Sequence, residues 1–165
     1  MRYHLLAVLM LLPIAANAET PLSLKGIQMG DSREKVEQIL GEPVQCLNDG
    51  KIETHRYCLY SGMTFAGDYG VEASATFFQG QVYSIEFDFK WDAENRLNLV
   101  AEKYGRPRVC TYSNKCHLTV ERLPLRLTSR WSGGADGSVS LRDHDVYRRV
   151  EEIRNPPVML DKDDI

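Results

Sequence analysis

Val71-Glu72-Ala73-Ser74-Ala75-Thr76-Phe77-Phe78-Gln79-Gly80-Gln81-Val82-Tyr83-Ser84-Ile85-Glu86-Phe87-Asp88-Phe89 is the stretch that decides the fold class. Both runs alternate, and Gln79-Gly80 between them is a turn signal. After the turn, Tyr83, Ile85, Phe87 and Phe89 fall on one face and Val82, Ser84, Glu86 and Asp88 on the other. Clean alternation across a tight turn predicts antiparallel sheet with one face buried.

Working outward, Asp31–Leu40 reads as a helix. Asp31 is its N-cap, Glu34 completes a capping box, Val36, Ile39 and Leu40 form the buried stripe, and Gly41 ends it. A second helix is predicted over Ala93–Tyr104 with Asp92 as cap, because Ala93, Leu97, Val100, Ala101 and Tyr104 share one face. Cys116–Leu123, Leu125–Trp131 and Ser138–Leu141 read as strands. Pro124 falls between the first two, where it costs no central ladder bond, and Gly133-Gly134-Ala135-Asp136-Gly137 forms a loop before the third. Asp145–Arg154 has Val146, Val150 and Ile153 at helical spacing and is stopped by Asn155-Pro156-Pro157.

Gly41-Glu42-Pro43-Val44-Gln45-Cys46 and Gly105-Arg106-Pro107-Arg108-Val109-Cys110 both read G-x-P-x-x-C, offset by 64 residues, and each follows a predicted helix. Gly-x-Pro is also a plain helix stop, but cysteines at the same offset favour duplication. The expected fold is therefore α+β: two tandem helix-plus-antiparallel-strand units, about 25–90 and 91–154, with the helices on one face of a sheet. Together they fill a single domain over residues 19–160. The acidic tail Asp161–Ile165 is expected to be mobile.

The first 18 residues have the three-part layout of a secretory signal. Met1-Arg2-Tyr3-His4 is weakly basic, Leu5–Leu12 is apolar, and Ala16-Asn17-Ala18 is a small-x-small cleavage site. The apolar run is too short to span a bilayer, which takes about 20 residues. There is no cysteine near the cleavage site, so no lipid anchor is expected, and no membrane span is predicted elsewhere. Removing Arg2 takes the formal net charge from −3 to −4, and the basic residues are dispersed among acids, which argues against a nucleic-acid partner.

Cys46, Cys58, Cys110 and Cys116 form an even set in a chain read as exported, in the periplasm or secreted, so disulfides are expected. Three pairings are possible; proximity in sequence favours Cys46–Cys58 and Cys110–Cys116. Zinc ligation with His55 or His117 is the competing reading, and the cysteine spacings match no zinc ribbon or finger.

Lys25-Gly26-Ile27-Gln28-Met29-Gly30-Asp31, followed by the helix and Leu40-Gly41-Glu42-Pro43, resembles the opening of SmpA/OmlA (BamE-like) domains. In tandem, that unit builds the β-lactamase-inhibitor-protein-like fold, which the internal repeat resembles. The resemblance implies a non-enzymatic periplasmic module whose partner is another protein, and it brings no catalytic residues. Two departures set the chain apart from the outer-membrane assembly lipoproteins: it has no lipidation cysteine, and it has two units where they have one.

No recognisable motif carries chemistry. His55, His117 and His144 stand far apart, and Asp143-His144-Asp145 reads as a turn capping the next helix rather than as a metal site. No nucleophile elbow, P-loop or dinucleotide loop is present, and no cofactor or metal is expected. The residues suited to binding a protein are Tyr57, Tyr60 and Tyr69 around Ser61-Gly62-Met63, with Arg126 and Arg130 on the strand that ends at Trp131. Arg126, Thr128 and Arg130 are expected on the wetter face of that strand. The expected function is an exported protein-binding module without catalytic activity, an inhibitor or an envelope-assembly accessory. A small envelope hydrolase or a ligand carrier is the alternative.

Overall fold

The computed structural model describes residues 21–65, 68–89, 93–105, 109–110, 115–131 and 136–156. The signal segment 1–18 and the acidic tail 161–165 lie outside them. In chain order the elements are α1 (Arg33–Leu40), β1 (Gln45–Asn48), β2 (His55–Phe65), β3 (Asp68–Phe78), β4 (Gln81–Phe89), α2 (Ala93–Tyr104), β5 (Val109–Cys110), β6 (Cys116–Arg122), β7 (Leu125–Trp131), β8 (Gly137–Asp143) and α3 (His144–Arg154).

All eight strands belong to one antiparallel sheet in the order β1-β2-β3-β4-β8-β7-β6-β5. This corrects the expectation of two tandem helix-plus-strand units. β4 and β8 pair from Ser84↔Arg142 to Phe89↔Gly137, so the ladder runs unbroken through the middle of the molecule. The core is equally continuous: Ile85 and Phe87 of β4 share one cluster with Val139 and Leu141 of β8, Leu127 of β7 and Leu118 of β6. The repeated G-x-P-x-x-C has a local explanation. Gly41 (φ +87°) and Gly105 (φ +61°) each follow a helix in a left-handed conformation that glycine adopts freely. Cys46–Cys58 and Cys110–Cys116 then clip the two edge strands, β1 and β5, to their neighbours.

α1 and α2 share one face of the sheet as expected, and α3 lies on the other. Val36 and Leu40 of α1 and Leu97 of α2 pack into the large cluster. Val150 of α3 joins a separate cluster with Ile52, Phe78 and Tyr83. The hairpin that sets the fold class carries an irregularity at the residue α3 packs on. Thr76 pairs with Ser84 but Phe77 with Val82, so Tyr83 is an extra residue in β4. The alternation expected from sequence reverses there: Val82 enters the large core and Tyr83 turns to the opposite face, beneath α3.

One helix cap differs from expectation and another agrees with it. Ser32, not Asp31, is the N-cap of α1, its hydroxyl accepting from the Lys35 N–H, while Asp31 accepts from the Gln28 N–H and the Lys35 ammonium. At α3 the cap is Asp143, whose Oδ1 accepts from the N–H groups of Asp145 and Val146 at 3.0 Å each. Asp143-His144-Asp145 is thus a helix start.

Candidate functional site

The sheet has one sealed face and one largely polar one. Register places three rows of side chains on the polar face. The first crosses Tyr57, Thr76, Ser84, Arg142, Arg126 and Glu121; the second Ser74, Glu86, Ser140, Thr128 and Thr119; the third Glu72, Asp88, Ser138, Arg130 and His117. α3 packs over Phe78 and Tyr83, at the end of the sheet beyond the first row. α3 meets the β8 rows at Arg142, through Tyr147, and among the described residues no helix packs over the rows on β6 and β7.

The face is charged unevenly. Glu72, Glu86 and Asp88 make the β3–β4 side acidic; burial, followed by Glu86 and Glu72, pushes the Asp88 carboxyl up. Arg126, Arg130 and Arg142 make the β7–β8 side basic. Arg126 pairs with Glu121 at 2.5 Å. Arg142 donates to the Ser84 hydroxyl at 3.2 Å, and its guanidinium lies 4.7 Å from the Tyr147 ring centre. His144 closes the end of this region, its imidazole pushed down by desolvation and then by Arg126 and Arg142.

Two hollows lie on this region. A cleft of about 660 Å³ runs between His117, Thr119 and Glu121 on β6 and Thr128, Arg130 and Trp131 on β7. A smaller recess of about 150 Å³ is bounded by Glu86, Arg126, Arg130, Ser140, Arg142 and His144. Arg126, Thr128 and Arg130 line both.

The residues singled out from sequence separate. Arg126 and Arg130 are exposed on the polar face, while Leu127 and Ser129 between them are buried. Tyr57 is half-buried in the row that holds both Arg126 and Arg142. Tyr60 is corrected: it is 2 % exposed in the large core, and burial raises its hydroxyl to about 12, so it offers no surface to a partner. Its neighbours hid this, because Tyr57 and Tyr60 read alike until the register assigns them to opposite faces. Tyr69 is placed on β3 by its backbone, and its side chain lies outside the described residues. Arg142 was not singled out from sequence. The strand Ser138–Leu141 stopped one residue short of it, and only the β7–β8 pairing brings it opposite Arg126.

A third hollow, about 310 Å³, lies where α3 meets the sheet. His55 Nε2 is 2.8 Å from the Tyr83 hydroxyl, and Asp49 Oδ2 is 3.4 Å from Nδ1 without the alignment of a hydrogen bond. Arg154 holds the same Asp49 oxygen through Nε and Nη2, at 3.1 and 2.7 Å. A carboxylate, an imidazole and a hydroxyl in series resemble a nucleophile relay. Here burial raises the tyrosine to about 12 and desolvation lowers the histidine, so both are held neutral. The arrangement ties the β1–β2 loop, β2, β4 and α3 together.

Among the described residues, no three His, Cys, Asp or Glu side chains converge to hold a metal, and no helix is long and apolar enough to cross a membrane. The two disulfides point to an oxidising environment. Compared with protein-family models, curated proteins and solved structures, the chain matches none.

Proposed function

We propose that the chain is an exported, non-catalytic protein-binding module, periplasmic or secreted, that engages its partner through the β6–β7–β8 face. The observation that carries this is the asymmetry of the sheet. One face is sealed by α1 and α2, whereas on the other Arg126 and Arg130 are exposed along a wide, shallow cleft. Arginine side chains on an uncovered surface are frequent anchors of protein interfaces. The resemblance of residues 25–46 to SmpA/OmlA domains supports a protein partner too, in the role of inhibitor or envelope-assembly accessory.

The test is capture of envelope or secreted proteins on the immobilised chain, repeated with Thr128→Glu on the polar face and with Leu99→Gln on the exposed side of α2. A partner retained by the wild type and Leu99→Gln but lost by Thr128→Glu supports the reading. A partner indifferent to Thr128→Glu contradicts the assigned face.

The second reading, a small hydrolase, is favoured only by the Asp49–His55–Tyr83 series. Turnover of any substrate that is abolished by His55→Gln in a folded protein would replace the binding reading.

A further inference from the structure

Arg126 on β7 and Arg142 on β8 are direct cross-strand partners on the polar face. Like charges set opposite one another weaken a sheet. Glu121 offsets Arg126 from the β6 side. Ser84 and Tyr147 aim the Arg142 guanidinium without neutralising it. Arg130, two residues along β7, has no carboxylate partner among the described residues. Thr128 and Ser140, themselves paired, place hydroxyls in the same recess. Three arginines face a single acid there, Glu86, in a chain whose formal net charge is −3. The adjoining cleft continues the same surface between β6 and β7, past Thr119 and Thr128, while the Trp131 side chain packs against the core on the opposite face.

We infer that the partner is an extended protein segment that lays an Asp or Glu carboxylate among Arg126, Arg130 and Arg142 and runs on through the cleft between β6 and β7. This rests on the protein-binding reading above. Guanidinium groups recognise carboxylates through paired, charge-assisted hydrogen bonds. A carboxylate placed there relieves the Arg126–Arg142 repulsion as it binds. The two hollows share one wall, so a ligand filling both is an extended chain with its acid in the smaller one. A free oxyanion fills only the smaller. The acidic Glu72, Glu86 and Asp88 repel the segment from β3–β4 and direct its negative end to β7–β8.

The probe is a synthetic peptide of glutamates flanked by serines, titrated into the full disulfide-bonded chain at low ionic strength and followed by amide chemical shifts. Saturable shifts are expected on β6, β7 and β8. Arg126→Gln/Arg130→Gln should weaken binding by about tenfold or more. Arg130→Gln alone should weaken it measurably and serves if the double variant misfolds. A peptide with glutamine in place of glutamate should cause no shifts. Inorganic phosphate binding the same residues as tightly as the glutamate peptide overturns the inference, as does a glutamate peptide that binds nowhere or binds the double variant equally well. A natural partner that is lost on Thr128→Glu but docks through neutral or basic groups also overturns it, while leaving the protein-binding reading intact.

Discussion

His55 Nε2 and the Tyr83 hydroxyl are 2.8 Å apart, and the bond joins the first residue of β2 to the extra residue of β4 beneath α3. Both side chains are buried, and the Asp49 carboxylate beside Nδ1 favours the tautomer in which Nε2 accepts from the phenol. Tyr83→Phe leaves that nitrogen unpaired in the interior. The expected loss is about 1–3 kcal/mol in urea unfolding. His55→Phe/Tyr83→Phe should recover part of it, since removing both partners leaves no orphan. Equal losses in the single and double variants would mean that packing, not the hydrogen bond, holds this corner.

The same pair makes stability depend on pH. Desolvation and then Arg154 lower the His55 pKa below its ordinary 6.5, while Asp49 and Glu151 oppose them. A histidine with a depressed pKa binds its proton more readily when unfolded. Its contribution is therefore complete above about pH 6.5 and is lost as pH falls below that value, at no more than about 1.4 kcal/mol per pH unit for one proton. Asp49, lowered by the Lys51 N–H and then by Arg154, adds a second loss that begins only below its ordinary 3.8. Melting temperatures between pH 8 and pH 5 should fall in the wild type and flatten in His55→Gln.

Leu97 and Leu99 are two positions apart on α2, one fully buried and the other 51 % exposed. Leu97→Ala removes the buried anchor of α2 and should cost about 2–5 kcal/mol. Leu99→Ala should change stability by less than about 0.5 kcal/mol. Chemical denaturation of the pair checks the assignment of the helix face.

Each disulfide closes a short loop, with sequence separations of 12 and 6. Replacing either pair by serines should cost about 2–3 kcal/mol, with the longer loop costing slightly more. Peptide mapping without reduction should find Cys46 linked to Cys58 and Cys110 to Cys116. A Cys46–Cys110 link would contradict the strand order at both edges.

What could be read in advance was local. The alternating runs, the Gln79-Gly80 turn, the glycine helix stops and the sequence-close cysteines each carry their own physical signal within a few residues. The sheet order carries no such signal. Whether β8 returns to β4 or closes on a separate unit depends on contacts between residues more than 50 positions apart, such as Ile85 and Leu141. The irregularity at Tyr83 was hidden because Gln81–Phe89 alternates without a break, and only the partner strand shows which residue is extra. The exposed Arg126 and Arg130 were legible from strand parity. Tyr60 was not, since an aromatic suits a core and an interface equally well.

Arg126→Ala/Arg130→Ala is the substitution that bears most directly on the proposed binding face, because both side chains are exposed and their only carboxylate contact among the described residues is the surface pair Arg126–Glu121. Removing them should move stability by less than about 1 kcal/mol. The measurement is the dissociation constant of a captured partner for the wild type and for this variant, with thermal melts of both. The account predicts affinity weakened by about tenfold or more at an unchanged melting temperature. Unchanged affinity in a folded variant would contradict it and move the binding surface off β7.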